Sequence, residues 1–219
     1  MRKIKFVNGE YYHIYNRGVD GRQIFIKKKD YLKFLRSLRD FNNQSYYEER
    51  AQIIRRYGFK ELSSFLQRIE KVVEIVAFCL LPNHFHLILR QLTEKGISNF
   101  LHKLGTSFTN FFNKEYQRSG RLFQGPYKAI HIDSNEYLLW LSAYVNGNAE
   151  IHKIEKVENY EWSSYKIIFR EKSDLISVKS EIIFKQFISP KEYENFVKKV
   201  IEESRKRKDM KKYLLESLN

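Results

Sequence analysis

The sequence predicts a mixed fold in which helices pack against a β-sheet, and two observations support this prediction. An apolar run rich in β-branched residues, residues 72–80, is followed by a Pro82-Asn83 turn and a second apolar run that ends at Leu89. Runs of this kind on either side of a turn are typical of two neighbouring strands. Apolar side chains between residues 97 and 112 recur at helical spacing, which indicates an amphipathic helix covering one face of the sheet.

The second strand of this pair carries two histidines, His84 and His86. Side chains alternate along a strand, so both imidazoles point to the same face, about 7 Å apart along a chain that rises roughly 3.3 Å per residue. Imidazole binds several divalent metals, so the pair could share one cation. The competing interpretation is that both are ordinary strand residues on a solvated face.

The remaining elements follow from periodicity, turn residues and helix caps. Cys79, the single cysteine, lies in the apolar strand and should be a buried thiol. We expect a helical insertion within residues 44–70. Further elements are a strand at 10–16, a helix at 28–41, a strand at 128–132, a helix opened by Asp133 with Glu136 in a capping-box-like pair, and a helix at 190–218.

The chain is strongly basic, with 40 Lys and Arg against 26 Asp and Glu, a net charge of +14 and a pI near 9.6. Such an excess favours a polyanionic partner, nucleic acid ahead of an anionic membrane, although a solvated basic surface gives a similar balance. The first residues lack the apolar segment of a signal peptide, and no apolar run is long enough to cross a membrane. We therefore expect a cytoplasmic protein with no membrane partner.

Tyr144 and Asn148 lie four residues apart in or just after a predicted helix. If the helical turn continues that far, they share a face, and a tyrosine hydroxyl and an amide oxygen could lie together over a metal. Tyr137, two turns earlier, is a rival nucleophile, and packing is the plainer interpretation of any aromatic at an apolar position. His13 on the first strand either approaches the metal or packs in the sheet, and we favour packing.

Six short stretches, in the order in which the family has them, together resemble one family, the REP-associated tyrosine transposases. These belong to the insertion-sequence-200-like single-tyrosine transposases of the HUH superfamily, which is named for its His-hydrophobic-His pair. The resemblance covers roughly the first three quarters of the chain and is specific because the order of the motifs is kept. The matching stretches are residues 12–18, 81–87, 111–113, 119–125, 144–148 and 162–165.

The resemblance implies an α+β fold with a ferredoxin-like antiparallel sheet. It places an HUH transposase domain at residues 1–170, ahead of a helical extension with a basic tail at 171–219. It implies that Tyr144 is the nucleophile and that the metal ligands are His84, His86 and Asn148. The metal would be Mg²⁺ or Mn²⁺, of which Mn²⁺ suits two imidazoles better.

The family also implies a single-stranded DNA partner, commonly one that forms hairpins, and a protein that is a monomer or a homodimer. We expect four basic side chains to contact that DNA: Arg17 in the first matching stretch, Arg118 and Arg121 in the basic turn at 118–121, and Lys128 at the start of the following strand. The sequence departs from the family twice. Asn148-Ala149 replaces the usual Asn-Pro, and Gly125-Pro126-Tyr127 replaces Gly-Arg-Tyr, which removes one basic group.

Two other classes of function stay open at this point. A metal-dependent nuclease that uses water would need the histidines but not Tyr144. A domesticated, non-catalytic nucleic-acid-binding protein would need only the basic surface. The basic end of the last helix, residues 205–212, is either a nucleic-acid arm or a solvated tail.

Overall fold

A computed structural model describes residues 4–42, 54–57, 71–169 and 176–216. Its sheet has four antiparallel strands, β1 (Tyr11–Arg17), β2 (Val73–Leu81), β3 (His84–Gln91) and β4 (Lys128–Ile132). Their order in the sheet is β2-β3-β1-β4. One helix, α1 (Lys28–Asp40), lies between β1 and β2, and another, α2 (Gly96–Glu115), lies between β3 and β4, so this order is the ferredoxin-like arrangement. The predicted α+β class is therefore confirmed.

Helices cover both faces of the sheet. Those of the described residues are α1 (Lys28–Asp40), α2 (Gly96–Glu115), α3 (Asn135–Asn146), α4 (Asn148–Ile151), α5 (Tyr165–Phe169), α6 (Glu181–Phe184) and α7 (Pro190–Glu216), with a 3-10 turn at Val19–Gly21. Helices α1 and α2 share one core with the sheet, and α3, α4 and α7 share a second core with its other face. The histidine strand β3 therefore lies between two buried layers.

The alternation of β3 divides its side chains between these two cores. Phe85, Leu87 and Leu89 belong to the α1–α2 core, and each is at most 4% exposed. Ile88 belongs to the opposite core together with Cys79 of β2. Cys79 is a free thiol and fully buried, as the sequence predicted. Burial raises the pKa of this thiol well above its usual value, so it stays protonated.

Helix α3 begins one residue later than the sequence predicted. Its N-cap is Ser134, whose hydroxyl oxygen accepts a hydrogen bond from the backbone N–H of Tyr137 at 3.2 Å. The prediction that Asp133 and Glu136 form the cap is therefore wrong. Ser134 has the extended backbone of an N-cap, φ −141° and ψ 155°, and either short polar side chain can cap a helix, so the sequence alone did not separate them.

The helical insertion predicted for residues 44–70 lies outside the described residues except at 54–57, which are helical. The predicted final helix is present as α7. Its first half packs into the second core through Tyr193, Val197, Val200 and Ile201. No helix of the described ranges is both long and apolar enough to cross a membrane.

Candidate active site on the histidine face of the sheet

His84 and His86 lie on the same face of the sheet, as the strand period predicts. His84 begins β3 opposite Arg17, and His86 lies opposite Tyr15 on β1 and Cys79 on β2. The two ring centroids are 5.1 Å apart with the rings nearly perpendicular, at 82°. His86 is buried and His84 is half-buried. The pair thus lies at the end of the sheet, where one side chain still meets solvent.

Each histidine has a partner at its Nδ1 atom. His84 Nδ1 lies 2.6 Å from the amide oxygen of Asn83. Since that oxygen can only accept, Nδ1 carries the proton and Nε2 keeps its lone pair. His86 Nδ1 lies 2.8 Å from Nε2 of the buried His13, so one of these two rings donates to the other. A partner at one nitrogen that leaves the second free is the usual arrangement for histidines that bind metal.

The histidines of this cluster are held neutral. Burial lowers the pKa of His13 to about 4. Burial, together with His152 and Arg17, lowers the pKa of His84 to about 4. Burial and the neighbouring histidines lower the pKa of His86 well below its usual value. Near neutral pH the imidazoles are therefore uncharged, the form in which they ligate a metal.

Asn148 supplies an unusual feature of the site. The backbone stays helical through Gly147, with φ −80° and ψ −1°, so the turn that begins at Tyr144 continues into α4. The Asn148 side chain is fully buried, and neither its oxygen nor its nitrogen has a hydrogen-bond partner among the described residues. It lies close enough to His84 to raise the pKa of that ring slightly, against the larger effect of burial.

An unpaired buried amide costs about 1–3 kcal/mol, and a bound cation would satisfy its oxygen. No three His, Cys, Asp or Glu side chains within the described ranges come together as a metal site, and the ligand set predicted from the sequence is a mixed one, two imidazoles and the amide oxygen of Asn148. His84 keeps a free Nε2, and His86 does so in the tautomer that donates from Nδ1 to His13, so two neutral imidazoles and one orphaned amide oxygen fit a divalent metal of the Mn²⁺ type.

Tyr144 lies at the rim of the same site. Its ring meets the His86 ring edge-on, with centroids 6.1 Å apart at 87°, and stacks on Trp140 at 5.3 Å and 12°. The ring of the rival Tyr137 stacks on Trp140 at 6.5 Å, and among the described residues it has no ring contact with His84 or His86. Burial raises the pKa of Tyr137, with a smaller effect from Asp133. The structure therefore brings Tyr144, rather than Tyr137, to the histidine pair.

The four basic residues expected to contact DNA lie in different places. Lys128 lies over the Tyr15 ring, 5.9 Å from its centroid, on the histidine face, and Arg17 ends β1 beside His84. Arg118 donates to Asn113 Oδ1 and to the carbonyl of Arg121 at 2.6 and 3.1 Å, which holds the loop after α2. Arg121 lines a cleft of about 750 Å³ between α2 and residues 121–127, on the other face of the sheet.

Three residues near the site were not predicted from the sequence as part of it. Asn83 positions His84, and its place directly before the histidine was the available signal. His152 packs its ring 5.1 Å from that of His84, and Lys208 Nζ lies 3.1 Å from His152 Nδ1. The spacing 144, 148, 152 repeats every four residues and could have placed His152 on the same face. Lys208 lies more than fifty residues further on, and no local pattern connects it to the site.

Comparisons with known proteins agree with this geometry. Residues 45–148 match a family model described as transposase IS200-like, a range that contains His84, His86, Tyr144 and Asn148. The resemblance predicted from the motifs is confirmed for this range, which is slightly less than half of the chain.

A solved structure of a REP-associated tyrosine transposase bound to a REP hairpin has the same fold, with a TM-score of 0.53 and 14% sequence identity. The alignment covers 82% of this chain and 92% of that one. At this identity the likeness shows the fold. A search of curated protein sequences found no match.

Proposed function

We propose that this protein cleaves and rejoins single-stranded DNA through a covalent bond between Tyr144 and a 5′-phosphate. The observation that supports this function is the approach of the Tyr144 ring to His86 at a site where the Asn148 side chain is buried and unpaired. The family match over residues 45–148 supports a transposase. We further propose that the reaction passes through a phosphotyrosine and uses a divalent metal.

The attack of Tyr144 Oη on phosphorus forms a P–Oη bond and breaks the bond to the 3′ oxygen. The tyrosine gives up its proton and the departing strand gains one, so the products are a 5′-phosphotyrosine and a free 3′-hydroxyl. The stacking of Tyr144 on Trp140 orients the ring at the rim of the site. Because the number of phosphoester bonds is unchanged, a later 3′-hydroxyl reverses the step and joins two strands.

A phosphodiester carries negative charge that repels a nucleophile, so the site must accept charge as the transition state forms. His84, His86 and Asn148 would hold the metal. A divalent ion there, Mg²⁺ or Mn²⁺, supplies Lewis acidity to a phosphate oxygen. Asn83 accepts from His84 Nδ1, and in the metal-binding tautomer His86 donates from Nδ1 to His13 Nε2, so both Nε2 atoms stay available. These hydrogen bonds also keep the two rings in a fixed orientation.

The substrate we propose is single-stranded DNA that forms a hairpin. The solved relative was bound to a REP hairpin, and the net charge of +14 favours a polyanion. Aromatic and basic side chains that reach solvent on the histidine face, such as the half-buried Tyr15 with Lys128 above it, suit base stacking and phosphate contact. A monomer or a homodimer working in the cytoplasm completes the proposal.

The test is covalent capture of labelled DNA. Wild type, Tyr144→Phe and Tyr137→Phe are each incubated with 5′- or 3′-labelled hairpin DNA and Mn²⁺ and separated on denaturing protein gels. Tyr137→Phe is a matched control because it removes the same hydroxyl from the same helix. The fragment joined through its 5′-phosphate carries the 3′ end of the DNA. We therefore expect the 3′ label to stay on wild type and on Tyr137→Phe, and no label to stay on Tyr144→Phe.

Other outcomes select the competing functions. Cleavage by Tyr144→Phe without a protein adduct would establish a nuclease that uses water. Binding without cleavage by the wild type, across several hairpins and both metals, would establish a non-catalytic binder. An adduct on Tyr144→Phe that is lost in Tyr137→Phe would move the nucleophile to Tyr137.

A further inference from the structure

The last helix reaches the candidate active site and is fixed there. Arg205 of α7 donates from Nε and Nη2 to the backbone carbonyl of Glu150 at 3.1 and 2.6 Å, and its Nη1 lies 3.5 Å from the Glu150 carboxylate. These bonds satisfy a carbonyl in α4, the short helix that contains Asn148. Since Lys208 follows Arg205 by about one turn, its position beside α4 is set by this anchor.

Lys208 and His152 form a pair directed at the histidine site. Lys208 Nζ lies 3.1 Å from His152 Nδ1, and an ammonium group can only donate. His152 therefore accepts at Nδ1 and carries its proton on Nε2, which makes Nε2 a donor. The same ring lies 5.1 Å from the ring of His84. A cation and a neutral N–H donor are thus placed beside a residue that would hold the metal.

Arg17 adds a second cation from the opposite side. It ends β1 directly opposite His84 in the sheet register and is exposed. Lys208 reaches the same imidazole from α7 through the His152 ring. Within the described ranges neither side chain has a carboxylate at ion-pair distance, and Glu150, the nearby acid on α4, is paired with Arg205. Two cations beside the same pair of imidazoles, with no carboxylate paired to either, favour the binding of an anion there.

We propose that Arg17, His152 and Lys208 form an anion subsite beside His84 that binds a backbone phosphate of the DNA strand, flanking the phosphate that Tyr144 attacks. This subsite rests on the proposed function, since its ligand belongs to the same DNA. The sequence left open whether the basic end of α7 is a nucleic-acid arm or a solvated tail, and the subsite gives it a role in DNA binding. The C-terminal helix then completes the binding site and is not only an extension packed on the domain.

The salt dependence of DNA binding tests this subsite. Fluorescence anisotropy with a labelled single-stranded hairpin is measured between low and moderate salt in the full chain carrying Tyr144→Phe, which prevents cleavage. Lys208→Gln is compared with Lys206→Gln in that background. Lys206 has the same charge on the same helix and pairs with Glu202 at 2.8 Å. Lysine and glutamine have similar helix propensity, so both variants keep α7.

We expect Lys208→Gln to weaken binding several-fold and to reduce the slope of log K against log salt by about 0.7, as expected when a protein neutralises one phosphate fewer on a single strand. Lys206→Gln should keep the slope. A loss of helix packing alone would weaken binding without this change in slope. Methylphosphonate linkages, which are neutral, are then placed one at a time along the strand, and at the contacted phosphate the difference between the two variants should vanish.

Equal slopes for Lys208→Gln and Lys206→Gln, with binding intact, would overturn the subsite and leave the proposed function standing. Tighter binding by Lys208→Gln would also overturn it, because Lys208 would then obstruct the strand. Absence of single-stranded DNA binding by the Tyr144→Phe background itself would overturn the proposed function together with the subsite.

Discussion

Each face of the sheet is backed by an apolar core, yet at the start of β3 the two faces differ sharply. On one face, Phe85 packs 5.0 Å from Phe34 and 5.9 Å from Phe123, ring centroid to ring centroid, in a continuous apolar core. On the other face, one residue away on either side, His84 and His86 are surrounded by polar groups and the unpaired Asn148. At this end of the strand one face contributes stability and the other leaves unsatisfied groups in place for a ligand, while Ile88 further along β3 joins the core of that second face. The period of two along a strand makes this division possible between adjacent residues.

The largest expected effect is on the activity of the histidine face. We expect His84→Ala to slow covalent capture of DNA about 10³-fold, because a ligand of the charge-stabilising group is removed, and to abolish Mn²⁺ binding measured by calorimetry. The free energy of unfolding should change by less than about 1 kcal/mol, since His84 is only half-buried. Wild-type Mn²⁺ affinity in His84→Ala would show that this residue is not a ligand.

Substitution of Phe85, the residue after His84, should lower stability and leave metal binding unchanged. Phe85→Ala removes a buried ring from the α1–α2 core and should lower the free energy of unfolding in urea by about 3–5 kcal/mol. Phe85→Leu, which keeps much of the volume, should cost less than about 1.5 kcal/mol. Where each variant is folded, we expect Mn²⁺ binding to be kept. If Phe85→Ala instead abolished metal binding while staying stable, the two faces would not be functionally separate.

The apolar face was easier to predict than the histidine face, for physical reasons. The strands and the α2 stripe follow from short-range periodicity, because each core position repeats the same requirement for apolar volume. The pairing of His84 with His86 and the spacing of Tyr144 from Asn148 were visible for the same reason. The contacts from His13 on β1 and Lys208 on α7 depend on tertiary pairing of distant segments, and no local pattern encodes them. The Ser134 cap was missed because neighbouring Asp133 is an equally good capping residue.

Substitutions of His13 test whether metal binding on the histidine face depends on the buried hydrogen bond between His13 and His86. His13→Leu removes the partner of His86 Nδ1, now 2.8 Å away, and should weaken Mn²⁺ binding about 10–100-fold, as is usual when the partner of a metal-binding histidine is removed. His13→Gln can still accept from His86 and should recover most of the affinity. His131→Gln, on the exposed edge strand β4, is the control. Unchanged affinity in His13→Leu would mean that His13 only fills space in the sheet.

The buried histidines should also make stability depend on pH. In the folded chain burial lowers the pKa of His13 and of His84 to about 4, against about 6.5 in the unfolded chain. Between these values the unfolded chain binds more protons, so the free energy of unfolding rises with pH. The contribution of these neutral histidines to the free energy of unfolding is complete above about pH 6.5 and is lost as the pH falls towards 4. Urea unfolding of metal-free protein between pH 4.5 and 7 should show this slope, and His13→Leu should flatten it. A flat wild-type profile would contradict the neutral, buried state of these rings.

The smallest expected effect lies at the start of α3, the helix that carries Tyr144 across the histidine face. Ser134→Ala removes the oxygen that accepts from the backbone N–H of Tyr137 and should cost about 1 kcal/mol of unfolding free energy. Asp133→Ala should cost only about 0.3 kcal/mol, the low end of a charge–dipole interaction, and less in high salt. Both residues are exposed and lie more than two turns before Tyr144, so covalent capture should stay within twofold of wild type. A larger loss from Asp133→Ala than from Ser134→Ala would return the cap to Asp133, the position that the sequence pattern predicted.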